Sequence, residues 1–243
     1  MKYSVIIPTY NHCEDLLMPC VQSVLTYSHM ADVELIISAN GCVDRTHTYL
    51  TSLQQEFDQI GMHNHLKVVW SDAPLGYAQA NNVAIQQATG DHVVLLNNDC
   101  VLLPQHKNSW LDQLHAPFTH DDRMGISGIV SAHDSVTQHA FVIFFCVMID
   151  RILFDHIGLL NTQYEVGGCE DVEFCVKAVQ AGFKVTSCDA HVHTAQPGLW
   201  SGQFPIYHKG QGTLLDSNLV TNWHHTHARN QQKLQLSCGM CPT

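Results

Sequence analysis

The stretch SVIIPTYN (residues 4–11) joins a run of β-branched and apolar residues to a polar turn. This arrangement is typical of a buried strand that ends at the edge of an α/β sheet. Three further strands are predicted at residues 33–38, 66–70 and 92–96. Helices are predicted between them, at residues 16–25, 44–57 and 77–89, with Gly90 ending the third. The alternation indicates βαβ units in a mostly parallel central sheet with helices on both faces.

The regular alternation stops after residue 99, and the pattern predicts a mixed α+β C-terminal half. Strands are expected at residues 125–130 and 141–149. A helix is expected to begin at Glu170, because apolar residues then recur at helical spacing until Gly182 ends the run. These apolar residues are Val172, Cys175, Val176 and Val179. No structure is predicted for residues 194–243.

The net charge and the hydropathy pattern argue against two kinds of partner, nucleic acids and membranes. The chain has 22 acidic residues against 11 Lys and Arg, for a formal net charge of −11, which disfavours binding to nucleic acid or to an anionic membrane. The longest apolar run, residues 140–149, is half of the roughly 20 residues that a spanning helix needs, so no transmembrane segment is expected. The N-terminus lacks the features of a signal peptide, and we expect a cytoplasmic protein.

The ten cysteines are scattered, and Cys20, Cys146 and Cys175 lie among apolar periodic residues. We interpret them as reduced core thiols. Cys238 and Cys241 form a single CxxC pair, which is weak evidence for zinc without a second pair nearby.

Small and polar residues follow each predicted strand of the first half. They form the sequences PTYN after the first strand, AN after the second, PLGY beyond the third and NND after the fourth. Ligands of open parallel sheets bind at the carboxyl ends of the strands. These residues are therefore expected to form one crevice that is able to hold a nucleotide.

Five stretches, in this order, resemble family 2 glycosyltransferases over roughly four-fifths of the chain. They are SVIIPTYN (4–11), LIISANGCVDRT (35–46), LGYAQANNVAIQQATGD (75–91), VVLLNND (93–99) and GGCEDVEFCVKAVQAGFKV (167–185). The resemblance implies a GT-A (Rossmann-like) fold and transfer of a hexosyl or deoxyhexosyl group with inversion. It also implies a nucleotide-diphosphate sugar donor, a glycan or other hydroxyl acceptor, and Mn²⁺ or Mg²⁺ as cofactor, as in polysaccharide biosynthesis.

The resemblance assigns a donor site to the first half. Asn40 falls in the family's acidic pair after the second strand, while Ala39 replaces the other acid and leaves the base open. Gly76 and Asn81 belong to a segment that resembles rhamnosyltransferase-like members, which suggests a UDP- or dTDP-linked donor. The expected donor-binding residues are Pro8, Thr9, Tyr10, Asn11, Asn40, Gly76, Asn81, Asn97 and Asn98.

The family's metal-binding D-x-D falls on Asn97, Asn98 and Asp99, of which only Asp99 carries a charge. A hard divalent cation requires oxygen ligands, so Asp99 is the expected metal ligand, and Asn97 is expected to bind the ribose. His193, which alternates with His191, is expected to complete the metal shell. The alternatives are a simple turn after a strand and a solvent-facing pair of histidines.

Glu170 and Asp171 resemble the family's E-D pair, in which the aspartate is the catalytic base. A carboxylate at this position can take the proton of an acceptor hydroxyl, and the helix N-terminus is expected to keep Asp171 ionised. Gly168 and Glu170 are expected on the acceptor side. The alternative is that both acids only stabilise the start of a helix.

We expect a single glycosyltransferase domain over residues 1–243. It comprises a nucleotide-binding half (1–99), an acceptor and catalytic half (100–193) and a C-terminal extension (194–243).

Two other functions stay open. The departures at Ala39 and Asn97 allow a non-catalytic module that binds a nucleotide sugar or a glycan. A sugar-1-phosphate nucleotidyltransferase is disfavoured, because residues 4–11 contain neither Gly nor Lys for a phosphate loop.

Overall fold

The computed structural model describes residues 2–164, 166–194, 203–210 and 223–238. Cys241 lies outside these ranges. The main sheet has seven strands in the order β10-β6-β9-β4-β1-β2-β3. The strands of the chain are β1 (Tyr3–Thr9), β2 (Val33–Asn40), β3 (Leu66–Ser71), β4 (His92–Leu96), β5 (Cys100–Leu102), β6 (Met124–Gly128), β7 (Ser131–His133), β8 (Ala140–Val142), β9 (Cys146–Asp150), β10 (Lys184–Ser187), β11 (His193–Thr194) and β12 (Ile206–His208).

The four strands of the first half are confirmed, and they pair in parallel. β1 lies between β2 and β4, and β3 adds to the far side of β2. Along the chain, β2 and then β3 are added on one side of β1, and β4 then pairs with β1 on its other side. Such a reversal of strand order opens a crevice at the carboxyl ends of the two strands that flank it. In the second half, β9 runs antiparallel to both β4 and β6, a reversal of direction that the sequence did not predict.

Helices cover both faces of the sheet, as predicted. They are α1 (Met18–Tyr27), α2 (Thr46–Gln59), α3 (Tyr77–Ile85), α4 (Ser109–His115), α5 (Arg151–Ile157), α6 (Glu170–Gln180) and α7 (Trp223–Ser237). Buried side chains of α1, α2 and α4 form one apolar cluster with the sheet, and those of α3, α5 and α6 form another. Within the described ranges, no helix combines the length and the apolar composition that crossing a bilayer requires.

The prediction that Gly90 ends the third helix was wrong, because α3 already ends at Ile85. Gly90 instead lies against the start of β1, where its backbone N–H donates to Ser4 Oγ over 2.8 Å. A Cβ atom at this position would lie 2.7 Å from the backbone nitrogen of Ser4. The glycine therefore permits the bend before β4 to approach the start of β1 closely, and it is not a helix cap.

The apolar run that was predicted as one strand at residues 141–149 forms two. β8 pairs with β7 in a separate hairpin, whereas β9 joins the main sheet. Residues 143–145 separate the two strands and lie at the candidate site described below.

The prediction that Val179 lies on the buried face of α6 was wrong. Val179 is 48% exposed, while Phe174 and Ala178 are buried. The predicted core thiols Cys20, Cys146 and Cys175 are confirmed as buried and free.

A buried carboxylate ties the amino ends of three strands together. Glu34 on β2 is fully buried and accepts hydrogen bonds from Ser4 Oγ (2.6 Å), Lys67 Nζ (2.7 Å) and the backbone N–H of Thr89 (2.5 Å). Burial alone would raise the pKa of Glu34, but the hydrogen bonds from Lys67, Ser4 and Thr89 lower it to about 2. The ionised carboxylate therefore stabilises the native sheet.

Replacing Glu34 with Gln is expected to lower the free energy of unfolding by about 2–4 kcal/mol at pH 7, because Lys67 loses its buried partner. A pKa below the unfolded value means that the stabilisation exists above about pH 4.5 and disappears as the pH falls towards 2. Urea unfolding at several pH values measures this difference. Glu56→Gln on the exposed face of α2 is the control, and an equal effect of both variants would contradict the assignment.

Candidate active site

A cavity of about 620 Å³ opens at the carboxyl ends of β1, β2 and β4. Its other wall is formed by the N-terminus of α6 and by residues 143–145. The predicted site residues that line it are Pro8, Thr9, Tyr10, Asn40, Gly76, Asn97, Asn98, Asp99, Gly168, Glu170 and Asp171. The topology thus brings both halves of the predicted site to one cavity.

Three predicted residues lie elsewhere. Asn11 lines a neighbouring small cleft, and its Oδ1 accepts a hydrogen bond from the backbone N–H of Val43. Asn81 is fully buried within α3, where its Nδ2 donates to the carbonyl of Tyr77. His193 is on β11, in a small sheet beside β12, and is not among the residues that line the cavity.

Amide side chains fix the strand ends that form the cavity floor. Asn40 Nδ2 donates to the carbonyl of Thr9 over 2.5 Å, and Asn40 Oδ1 accepts from the backbone N–H of Leu75 over 3.1 Å. Asn98 Nδ2 donates to Thr9 Oγ1 over 3.1 Å. These bonds join the ends of β1, β2 and β4. Part of the hydrogen-bonding capacity of Asn40 and Asn98 is therefore used to hold the site itself.

His208 is a site residue that the sequence did not predict. Its Nε2 lies 3.3 Å from Asp99 Oδ1, and its ring stacks on Phe145 with a centroid distance of 4.3 Å. β12 carries His208 and pairs antiparallel with β5, which begins directly after Asp99, and Lys209 N–H donates to the Asp99 carbonyl. Among 18 histidines, no local pattern distinguishes this one, because its role depends on a strand pairing over more than a hundred residues.

Asp99, His208 and Cys100 place one potential ligand atom each within 4.8 Å of one another. The Cys100 thiol is buried and donates to the Phe145 carbonyl, and burial raises its pKa well above the usual range. It is therefore a neutral thiol, which is a poor ligand for a hard cation. The carboxylate and the imidazole are the groups that fit a divalent cation here.

Glu170 and Asp171 begin α6 at the cavity wall. Burial and then the neighbouring Asp171 raise the pKa of Glu170 to about 8, and burial raises the pKa of Asp171 to about 6. Burial outweighs the hydrogen bond from the Val172 N–H, so the ionised form of Asp171 is less favoured than the position at a helix N-terminus suggested. The pair therefore loses its protons at higher pH than free carboxyls do.

The loop before these acids has an unusual backbone. Four successive residues have positive φ: Val166 (56°), Gly167 (154°), Gly168 (101°) and Cys169 (79°). Valine and cysteine rarely adopt this region, so the surrounding structure has to hold the loop in place. One such contact is a 3.0 Å hydrogen bond from the Tyr77 N–H to the Val166 carbonyl.

The model of one protein family, described as "Glycosyl transferase family 2", matches residues 4–158, which is more than half of the chain. The chain belongs to glycosyl transferase family 2. Among curated relatives, the O-antigen biosynthesis protein RfbC of Myxococcus xanthus is 29% identical over 252 residues, covering 89% of this chain and 18% of RfbC. The chain spans about a fifth of the length of the curated relatives that it matches.

Solved structures confirm the GT-A fold of the chain. TarS 1-349 from S. aureus, in complex with UDP-GlcNAc, has a TM-score of 0.64 at 17% identity, covering 98% of this chain and 66% of that one. The mannosyltransferase PcManGT from Pyrobaculum calidifontis, in complex with GDP-Man and Mn²⁺, has a TM-score of 0.60 at 18% identity, covering 76% of this chain and 54% of that one.

Two buried glutamates on α6 allow a matched test of the electrostatics. Among the residues that the structure describes, none donates a hydrogen bond to Glu170 Oε2, whereas Glu173 Oε1 binds Lys177 Nζ (2.9 Å) and Asn161 Nδ2 (3.1 Å). Because its folded pKa is raised, ionised Glu170 destabilises the native state as the pH rises above its unfolded value.

Glu170→Gln is therefore expected to raise stability at pH 8.5 by roughly 1–2 kcal/mol, a few degrees in Tm, and to change it little at pH 5. Glu173→Gln should lower stability at both pH values, because it breaks a buried pair. Thermal unfolding of the three proteins measures both effects. A Glu170→Gln variant that is less stable than the parent at pH 8.5 would refute the assignment of a buried, unfavourable carboxyl.

Proposed function

We propose that this domain transfers a sugar from a nucleoside diphosphate donor to a hydroxyl acceptor, with inversion at the anomeric carbon. The observation that supports this most is the combination of two different acidic groups around one cavity. Asp99 pairs with an imidazole after β4, whereas Asp171 is a partly buried acid that begins α6 beside Glu170. The first arrangement suits a cation and a diphosphate, and the second suits proton transfer.

The donor side is assigned to the strand ends. Pro8, Thr9, Tyr10, Asn40 and Asn98 offer a floor for the nucleoside, next to Asp99. The two similar solved structures hold a uridine diphosphate sugar and a guanosine diphosphate sugar, respectively. They support this class of donor but do not select the base. A UDP- or dTDP-linked sugar and a glycan acceptor are the substrates that we propose, and the O-antigen role in RfbC's name supports such an acceptor.

A divalent cation would be held by Asp99 and His208. Among the described residues that line the cavity, none is Lys or Arg, so the side chains provide little positive charge to offset two phosphates. When bound, Mn²⁺ or Mg²⁺ supplies that charge and stabilises the departing diphosphate. The imidazole favours Mn²⁺ over Mg²⁺, which prefers oxygen ligands.

The reaction needs one base and a single displacement. Asp171 accepts the proton of the acceptor hydroxyl as its oxygen attacks the anomeric carbon, while the bond from that carbon to the diphosphate oxygen breaks. Attack opposite the leaving group inverts the anomeric centre. The raised pKa values of this buried pair disfavour two charges side by side, and we assign the carboxylate that forms first to Asp171.

Asp171→Asn is expected to retain donor binding and to lose turnover by roughly 10²-fold or more, the usual scale for removal of a general base. Asp99→Asn should instead weaken donor binding and its dependence on Mn²⁺. Calorimetry measures donor affinity, and release of nucleoside diphosphate measures transfer or donor hydrolysis. Near-native turnover in Asp171→Asn would reject the base, and a parent protein that binds donor without turnover would identify a non-catalytic binding module.

A second pair of variants tests the metal ligand. His208→Gln is expected to weaken Mn²⁺ binding in the presence of UDP by about 10-fold or more, whereas His193→Gln on the neighbouring strand should bind like the parent. Electron paramagnetic resonance of free Mn²⁺ gives both affinities. Loss of Mn²⁺ affinity in His193→Gln but not in His208→Gln would favour the ligand predicted from the sequence.

A further inference from the structure

The C-terminal helix α7 contacts the active-site loop through one buried amide. Asn230 is fully buried, and its Nδ2 donates to the carbonyl of Gly167 over 3.1 Å and to that of Gly168 over 3.3 Å. Because both partners are carbonyl oxygens, which only accept, the amide nitrogen has to face them. Asn230 therefore binds two successive peptide groups with one side chain.

Other contacts hold α7 in place without touching those peptide groups. Leu234 is fully buried in a small cluster that includes Tyr164, Cys169, Val172 and Val176. Lys233 Nζ donates to the carbonyl of Gln163 over 2.6 Å. Tyr164 Oη and Ser237 Oγ lie 3.3 Å apart and share a hydrogen bond. The docking of α7 and the binding of the loop carbonyls are thus separable by substitution.

The two bound carbonyls lie in the middle of the strained loop at residues 166–169, directly before Glu170 and Asp171. Two adjacent glycines have a wide choice of backbone conformations, so peptide bonds here rotate easily unless they are held. A rotation of either peptide would change the direction in which α6 begins. The hydrogen bonds from Asn230 oppose that rotation at Gly167 and Gly168, and the bond from the Tyr77 N–H holds the preceding carbonyl, that of Val166.

We propose that Asn230 is a positioning residue for Glu170 and Asp171: it holds the Gly167 and Gly168 peptides so that Asp171 faces the reacting hydroxyl. The inference rests on the proposed role of Asp171 as the base. It gives the C-terminal helix a part in the transfer step, although α7 contributes no residue to the cavity wall among the residues that the structure describes.

Asn230→Leu keeps the approximate volume and removes the donor. It is expected to lower kcat for transfer or donor hydrolysis by about 10- to 100-fold, the scale of a small misplacement of a catalytic group, while donor affinity stays close to that of the parent. The pH at half-maximal kcat, which reports Asp171, should also shift. Ser237→Ala, which removes another hydrogen bond of the same helix, should alter neither kcat nor the pH profile.

Hydrogen exchange tests the loop independently of any activity. The peptide that covers residues 166–171 should exchange faster in Asn230→Leu than in the parent or in Ser237→Ala. Unchanged exchange in this peptide, or a parent-like kcat and pH profile in folded Asn230→Leu, would overturn the proposal. If Asn230→Leu does not fold, Asn230→Ala, which also lacks the donor, is measured in the same way with the same expectations.

Asp171→Asn, assayed beside these variants, separates the two proposals. If Asp171→Asn keeps parent-like turnover while exchange at residues 166–171 rises in Asn230→Leu, the base assignment fails and Asn230 still holds the loop. If Asp171→Asn loses turnover while Asn230→Leu does not, the proposed function stands and the positioning role is wrong.

Discussion

The parallel pairing of β1 with both β2 and β4 is the constraint on which the rest of the structure depends. Parallel strands end at the same edge of a sheet, and the change of direction between β2 and β4 opens a crevice at that edge. Thr9, Asn40 and Asn98 meet there through side-chain hydrogen bonds. The buried Glu34 network lies at the opposite ends of these strands, so polar contacts within an apolar core hold both ends of the parallel part of the sheet.

The electrostatics of the cavity follow from a shortage of positive charge. The described residues that line it include three acids, Asp99, Glu170 and Asp171, and no Lys or Arg. Burial raises the pKa values of Glu170 and Asp171, and no Lys or Arg in the described lining lowers them, so ionisation of this pair costs stability at high pH. The same shortage is the reason that we propose a cation at Asp99 and His208 to bind the diphosphate of the donor.

Much of this arrangement could be predicted from local patterns. The four parallel strands and the start of α6 at Glu170 depend on short apolar periods and on the residues that end them. The end of α3 could not be predicted, because Gly90 is required by its contact with Ser4 and not by the helix. Periodicity also does not reveal that the apolar run at 140–149 divides between two sheets.

The parts of the site that were missed depend on distant contacts. His208 reaches Asp99 only because β12 pairs with β5, and Asn230 reaches Gly167 only because α7 docks on residues 163–176. Neither residue lies in a stretch with a recognisable motif. The resemblance that identified Asp99 and Glu170–Asp171 covers the strands and the helix that carry those residues. The contacts made by His208 and Asn230, which lie after residue 194, become visible only in the three-dimensional structure.

The central claim is that one cavity holds the donor diphosphate at Asp99 and His208 and presents its sugar to Asp171. A crystal structure of the protein with Mn²⁺ and a non-hydrolysable UDP-sugar tests this most directly. The account predicts an anomalous manganese peak between Asp99 and His208, with the anomeric carbon on the side of Asp171. A manganese peak or a nucleotide bound outside this cavity, or a sugar directed away from Asp171, would contradict it.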